Sequence, residues 1–322
     1  MFRRSRWMRG ERVTVFGGSG FIGRAIVRAL TQKGAMVTVG CTDVEAAKSL
    51  KTMGLPGQVA IVKADILNKD AVTRALTGAD HVVNLVGLLA PHGRHSFEKV
   101  HGDAPGMIAT AATAAGVRSM VQVSAIGADA QSKAAYARTK AAGEANLQAA
   151  FPNAVILRPS VVFGPDDGFF NRFAELAAMA PALPLIGGAR TRFQPVYVSD
   201  VAAAVMAVLG NSDAAGKTYE LGGPDVVSLR QVMTIVMDQT QRQRPLVHLP
   251  FWLARFQARF FELLPNPPLT RDQVTLLQSD NVVAEDALTL ADLGIEATSF
   301  WAILPTYLRR YRPGGMYNAA RT

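Results

Sequence analysis

The stretch "VTVFGGSGFIGRAIVRAL", residues 13–30, sets a run of glycines between an apolar segment and an amphipathic one. A β-branched run that turns through glycine straight into a helix can fold in few ways. Gly17, Gly20 and Gly23 form G-x-x-G-x-x-G, a variant of the dinucleotide fingerprint. In that motif the first glycine makes the tight turn, the second lets backbone approach a pyrophosphate, and the third brings helix and strand close together. The phosphate then rests on the helix N-terminus, where unpaired N–H groups and the helix dipole favour an anion.

Downstream, short β-branched runs alternate with helical stretches: "MVTVG", "VEAAKSLKTMG", "QVAIVKAD", "KDAVTRALTG", "HVVNLVG", "APGMIATAATAAGV", "SMVQVSAIG", "AYARTKAAGEANLQAAF" and "AVILRPSVVFG". Strand-helix alternation at this spacing predicts an α/β fold, a doubly wound parallel sheet with crossover helices on both faces. The strands are almost continuously apolar, as strands buried on both faces should be. After about residue 165 the texture changes, and beyond 223 the chain is helical and punctuated by proline. The expected division is a dinucleotide-binding domain over 12–222, with 165–190 contributing to a smaller lobe, and that lobe over 223–322.

An acidic residue that grips an adenosine ribose hydroxyl is expected about 20 residues after the glycines, at the end of the second strand. The sequence there reads "VTVGCTD", with Gly40 at the expected position and Asp43 arriving late. Absence of a carboxylate removes repulsion toward a 2′-phosphate, and Arg24 follows the third glycine. NADP(H) is therefore favoured, with NAD(H) also possible. Asp65 and Ile66 end the third strand, where an adenine edge would lie, and "NLVG", Asn84 to Gly87, ends the fourth beneath the ribose.

Tyr136 and Lys140 form Y-x-x-x-K, four apart and so on one face of a helix. An ammonium beside a phenol stabilises the phenolate and lowers its pKa toward the range of a general acid or base. The same lysine can hydrogen-bond a nicotinamide ribose. Ser124, at the end of "MVQVS", is placed either to polarise a carbonyl or to cap the following turn.

The formal charge of +9 is concentrated at the ends: Arg3, Arg4, Arg6, Arg9 and Arg12, then Arg309, Arg310, Arg312 and Arg321. Such ends suit an acidic partner or an anionic membrane face, or simply solvation. No nucleic-acid module accompanies them, and nucleic acid is not an expected partner. No apolar run approaches the ~20 residues of a membrane-spanning helix, so a soluble or peripheral protein is expected. A single cysteine, Cys41, excludes internal disulfides. The five histidines are scattered, His92 and His95 stand in a Gly/Pro loop without nearby carboxylates, and no metal site is expected. The segment "PFWLARFQARFFELLP", residues 250–265, carries a wider apolar arc than a surface helix needs. Either a partner or bilayer covers it, or it packs between the two lobes.

"GGSGFIG", "KADI", "NLVG", "VSAIGA", "YARTK" and "LRPSVVFGPDD", in this order, resemble the extended and atypical short-chain dehydrogenase/reductases. Together with "FEKV", "QPVYVSDV", "PLTRDQV" and "LADLGIEAT", they resemble more closely the NAD(P)-binding accessory subunit family of respiratory complex I. That resemblance implies a tightly held NADP(H) with a structural role. The subunit would sit among complex I subunits at the membrane-proximal quinone arm, on the cytoplasmic face of a bacterial inner membrane or the matrix side of an organelle. It further implies that Ser19, Phe21 and Ile22 in the glycine turn, Thr42 after the second strand, Leu85 and Val86, and Pro159 and Val161 join the cofactor-binding set. Members often carry an arginine where this chain has Thr42. An assembly or stability factor of the same complex fits the resemblance equally, and the alternative is a stand-alone NAD(P)-dependent reductase, dehydrogenase or epimerase acting on a sugar, sterol or quinone-pathway intermediate with Ser124, Tyr136 and Lys140.

Overall fold

A computed structural model describes residues 8–264 and 267–315. Arg3, Arg4, Arg6 and Arg321 of the basic ends lie outside the described residues. The chain opens β1 (Arg12–Phe16), α1 (Phe21–Gln32), β2 (Met36–Cys41), α2 (Val44–Ala47), β3 (Val59–Lys63), α3 (Lys69–Ala75), β4 (His81–Asn84), α4 (Ala104–Ala114), β5 (Ser119–Val123), α5 (Ala135–Ala150) and β6 (Val155–Pro159). Four more helices used below are α6 (Phe170–Met179), α7 (Val198–Val208), α8 (Leu229–Thr240) and α9 (Phe251–Phe261).

The first six strands and Thr218–Leu221 form one seven-stranded sheet, in the order Thr218–Leu221, β6, β5, β4, β1, β2, β3. Every pairing in it is parallel, with Val15 of β1 opposite Val39 on one side and Val83 on the other. This is the doubly wound order that leaves a crevice where the connections reverse direction, between β1 and β4. Helix α1 exists because Ile26, Val27 and Leu30 recur at helical spacing and are buried. Helix α3 starts at Asn68, whose side chain accepts the Ala71 N–H at 3.0 Å. Phe16, Val82, Met120 and Ile156 of the sheet pack with Ile108 of α4 and Leu147 of α5 in one apolar cluster.

Contacts divide the chain into two compact units: 1–159 with 199–221 and 286–295, and 160–198 with 222–285 and 296–322. The boundary differs from the expected one. The run "AVILRPSVVFG" is not one strand: β6 stops at Pro159, and Val162–Phe163 pairs instead with Val196–Tyr197 in the second unit. Hence all of 160–198, not just 165–190, belongs to the second unit. Residues 286–295 return to the first because Glu220 N–H donates to the Leu288 carbonyl at 2.8 Å, extending the sheet edge.

A buried carboxylate organises the second unit. Asp167 Oδ1 accepts the N–H groups of Phe169 (2.9 Å) and Asn171 (3.0 Å), and Oδ2 accepts the Gly164 N–H (3.1 Å) and the Tyr307 hydroxyl (2.5 Å). Burial and the neighbouring carboxylate both push the Tyr307 phenol upward, which keeps it a donor. The loop "GPDDGFF" is thereby folded around its own aspartate, and Phe163, Phe170 and Phe300 pack in contact above it. Removing one partner leaves buried donors unpaired, which costs more than the hydrogen bonds contribute. We expect Asp167→Ala to destabilise the second unit by about 3 kcal/mol or more and Tyr307→Phe by only about 1–2 kcal/mol. Denaturant unfolding followed by tryptophan fluorescence reads both, and the opposite ranking would contradict this account.

Candidate functional site

The glycine turn has the geometry that the motif requires. Gly17 lies at φ +79, and a Cβ there would stand 3.2 Å from the Val86 N–H nitrogen, so the turn lies against the end of β4. Gly23 is the tightest position: its Cβ would come within 2.3 Å of the Gly17 carbonyl. Gly18, unremarked in the sequence, packs on Val39 and leaves no room either. Helix α1 begins at Phe21, inside the glycine motif, so Gly20 is its N-cap. No side chain caps it and no acidic residue stands in its first turn, which leaves the positive end of the dipole to an anion.

At the end of β2, Thr42 is exposed, while Asp43 caps α2 by accepting the Ala46 N–H at 3.0 Å. The late aspartate is therefore committed to a helix. Gly40 faces the Phe16 ring, which fills the space of a Cβ. Arg24 folds back, donating from Nη1 to the Ser19 carbonyl at 3.1 Å, so its guanidinium lies beside the glycine turn.

Asp65 is in different company from that expected. Arg94 pairs with it, and His95 Nε2 lies 3.4 Å from Oδ2. The Gly/Pro loop is thus tied to the end of β3, and His95 does have a carboxylate neighbour. Burial opposes ionisation of Asp65, but the Leu67 N–H, the Arg94 guanidinium and the His95 ring beside it outweigh this and hold the carboxyl below its ordinary range. Ile66 is buried in the core cluster. No cluster able to hold a metal ion occurs among the described residues.

Beyond β4, Asn84 is buried, donates to Gln122 Oε1 at 2.8 Å and accepts the Val86 N–H at 3.2 Å, turning the chain at Leu85. Gly87 then passes close to Lys140, whose Nζ would be 3.4 Å from a Cβ. Lys140 Nζ also lies 5.8 Å from the centre of the Tyr136 ring. Both side chains project from α5, and the structure brings Gly17, Leu85, Val86, Gly87, Tyr136 and Lys140 together. Ser124 follows β5 with its N–H on the Leu157 carbonyl at 2.7 Å, next to Pro159 at the end of β6. Its hydroxyl is buried and has no hydrogen-bond partner among the described residues. An orphaned hydroxyl costs free energy unless a ligand pairs with it. Val161 belongs to the second unit, where its N–H donates to Asn281 Oδ1 at 3.1 Å.

The missed residue is His101. A π-helical turn, Glu98–Asp103, precedes α4, and such turns are frequent at functional sites. Helix α5 lies directly on this turn at Gly143, where a Cβ would be 1.8 Å from the His101 carbonyl. The imidazole stacks on Phe97 (5.3 Å between centres, 21°) and meets the Tyr136 ring edge-on at 5.2 Å. Its Nε2 accepts the Leu88 N–H at 2.8 Å. The Thr139 hydroxyl donates to the Ala135 carbonyl at 2.8 Å, so it receives the His101 Nδ1 proton across 3.5 Å. Both ring nitrogens are thus assigned in the neutral form. One histidine in isolation gives no sequence signal, although Phe97 and His101 are one helical turn apart.

Burial governs ionisation here. It pushes Tyr136 up to about 12, and pushes Lys140 down to about 8 against the opposing pull of Glu144. The expected lowering of the phenol by Lys140 is not what this environment gives, because desolvation disfavours both charged forms. Glu144 is itself gripped by Arg158, Nε to Oε1 at 3.0 Å and Nη2 to Oε2 at 2.5 Å. His101 is pushed down to about 3, by burial first and then by Lys140.

The residues present fit a dinucleotide. The glycine cradle admits backbone approach, the α1 end is uncapped, and the buried Ser124 hydroxyl past the end of β5 has no partner among the described residues. Because the unfolded chain protonates His101 near 6.5 and the folded one only near 3, stability is full above about pH 6.5 and falls as pH drops through that window. The slope is about 1.4 kcal/mol per pH unit. Urea titrations across pH 4–7 should show His101→Gln flattening this slope, and an unchanged slope would remove His101 as its source.

Residues 13–222 match the model of the NAD dependent epimerase/dehydratase family. The chain is 36% identical over 314 residues to the protein named NADH dehydrogenase [ubiquinone] 1 alpha subcomplex subunit 9, mitochondrial, of Arabidopsis thaliana, covering 94% of this chain and 78% of that one. To its Rattus norvegicus namesake it is 35% identical, covering 94% and 81%. A shorter match, 33% over 195 residues, covers 61% of this chain and 60% of a ceramide reductase of Caulobacter vibrioides. Among solved structures, a dTDP-glucose 4,6-dehydratase of Streptomyces venezuelae with NAD bound superposes with a TM-score of 0.72 at 20% identity, covering 92% of this chain and 96% of that one.

Proposed function

We propose a role that proceeds from the family: the chain belongs to the NAD dependent epimerase/dehydratase family and, within it, to the family of NADH dehydrogenase [ubiquinone] 1 alpha subcomplex subunit 9. The protein is an accessory subunit of respiratory complex I that holds a nicotinamide dinucleotide chiefly as a structural ligand. The observation that carries this reading is the reach of the likeness, 94% of the chain at 36% identity, which continues past residue 222, where the match to the epimerase family model ends.

Gly17, Ser19, Gly20, Phe21, Ile22 and Gly23 would hold the pyrophosphate, Leu85, Val86 and Gly87 would underlie the ribose, and Ser124, Tyr136 and Lys140 would bind at the nicotinamide end. When bound, the cofactor could supply hydride exchange. The chain's own groups favour holding over turnover, because a phenol at about 12 beside an ammonium at about 8 is poorly matched to neutral proton transfer. NADP(H) is favoured over NAD(H), since Asp43 is spent on a helix cap and Arg24 lies beside the turn. No described helix is long and apolar enough to cross a membrane. We place the subunit peripherally, at the membrane-proximal quinone arm, with Arg309, Arg310 and Arg312 contributing a basic face. That is the cytoplasmic side of a bacterial inner membrane, or the matrix side in an organelle.

A second reading, a stand-alone NAD(P)-dependent reductase of the short-chain type, is favoured by the complete Ser124, Tyr136 and Lys140 set and by the ceramide reductase match. The two readings separate on Tyr136→Phe. In a structural subunit, complex assembly and bound nucleotide survive; in a reductase, activity falls by about 10²-fold or more. Gly23→Val should abolish nucleotide retention in either case, as backbone must shift to admit the side chain. Gentle purification from membranes, with identification of copurifying proteins and released nucleotide, decides the matter. A free protein without nucleotide would refute the proposed role.

A further inference from the structure

Within the second unit, the glycine turn at 187–188 borders a cavity of about 650 Å³ lined by three guanidinium groups, Arg190, Arg192 and Arg230, together with His248, Ser228 and Gln231. A Cβ at Gly188 would stand 3.9 Å from both Arg190 Nε and His248 Nδ1, so these two groups face the same turn. Arg192 donates from Nε to Asp280 Oδ2 at 2.8 Å. Among the described residues, Arg190 and Arg230 have no carboxylate partner. The start of α8 also borders the cavity, but its N-terminal groups are already used by the capping box of Ser228 and Gln231. The attraction for an anion therefore comes from the guanidinium groups, three against one carboxylate.

The cavity is joined to α9. A Cβ at Gly187 would fall 2.0 Å from Phe251 Cζ, so the first ring of the helix is seated on the glycine turn. Beyond it, Trp252, Phe256 and Phe260 recur every four residues and are 70%, 58% and 56% exposed. Ala254 and Ala258 are buried on the opposite side against Val274. Arg255 and Arg259 are exposed along the same helix, and Leu263 and Leu264 continue the apolar stripe past its end. Val226 and Val247 add exposed apolar area near the cavity. Trp252, Phe256 and Phe260 thus form an aromatic stripe that stands exposed among the described residues.

We propose that this face seats on an anionic phospholipid bilayer, with a lipid phosphodiester headgroup in the Arg190–Arg230 cavity and the α9 aromatics at the boundary between headgroups and acyl chains. It rests on the peripheral placement proposed above and gives that placement its chemistry. Charge complementarity selects an anionic partner. The stripe selects a lipid surface over an acidic protein or a soluble phosphate: a helix with tryptophan and phenylalanine on one face and arginine alongside lies at a membrane interface. A free phosphate ester would neutralise the arginines and leave some five large apolar side chains in water, against the ordinary economy of a surface.

The full chain is tested by flotation with vesicles of phosphatidylcholine alone and of phosphatidylcholine mixed with phosphatidylglycerol. The wild type should float with the mixed vesicles and far less with the neutral ones, and rising salt should release it. Arg190→Glu with Arg230→Glu should weaken flotation by about tenfold or more. Trp252→Ala with Phe256→Ala and Phe260→Ala should weaken it comparably, while Lys51→Glu in the first unit should not. All of these positions are exposed, and circular dichroism melts check that each variant is folded. Unchanged binding by the arginine or aromatic variant would overturn the proposal. Equal binding to neutral vesicles would do the same, as would cavity occupancy by a soluble nucleoside diphosphate or an acidic peptide with neither vesicle bound. Copurification with complex I without vesicle binding removes this inference alone, whereas vesicle binding without copurification removes only the accessory-subunit reading.

Discussion

At Gly143 helix α5 lies on the backbone of the π-helical turn so closely that a Cβ would overlap the His101 carbonyl oxygen. The rest of the site depends on that approach. It sets Tyr136 against the His101 ring, directs Lys140 beneath Gly87, and lets Asn146 donate to the Gly102 carbonyl at 3.0 Å. Burial follows from the same closeness, and burial is what keeps the histidine neutral, the lysine easily deprotonated and the phenol protonated.

Each unit solves its own satisfaction problem by a different means. In the first, backbone groups at the ends of parallel strands are tied by buried amides, Asn84 to Gln122, and past the end of β5 the buried Ser124 hydroxyl has no partner among the described residues. In the second, Asp167 draws the loop after Phe163 around a single carboxylate and joins it to Tyr307, far along the chain. The first arrangement leaves polar capacity for a ligand. The second leaves none, which marks it as structural although both lie within segments that the family resemblance singles out.

Much of the fold was legible because it is written at short range. The alternation of β-branched runs with helical ones marked β1 to β6 and the helices between them, since each needs only residues within a turn or a pleat of one another. Boundaries were less legible. "HVVNLVG" contains a strand that stops at Asn84, because that side chain takes the Val86 N–H and turns the chain. "VEAAKSLKTMG" is a four-residue helix that tightens into a 3₁₀ turn. The apolar run after Val155 is divided between two units because Val162 and Phe163 find strand partners around 196 rather than in the main sheet.

Sequence by itself determined the dinucleotide turn, the Tyr136 and Lys140 pairing and the helical recurrence of aromatic residues along α9. Each of those is a spacing of seven residues or fewer, fixed by the helical or strand period. Tertiary structure alone decided that Asp43 serves as a cap, that Asp65 is held by Arg94 and His95 from 29 and 30 residues away, that His101 backs the tyrosine, and that Arg190, Arg230 and His248 share one cavity. The reason is physical: a local period says which side chains share a face, but charge state and partnership are set by desolvation and by neighbours that only folding brings within reach.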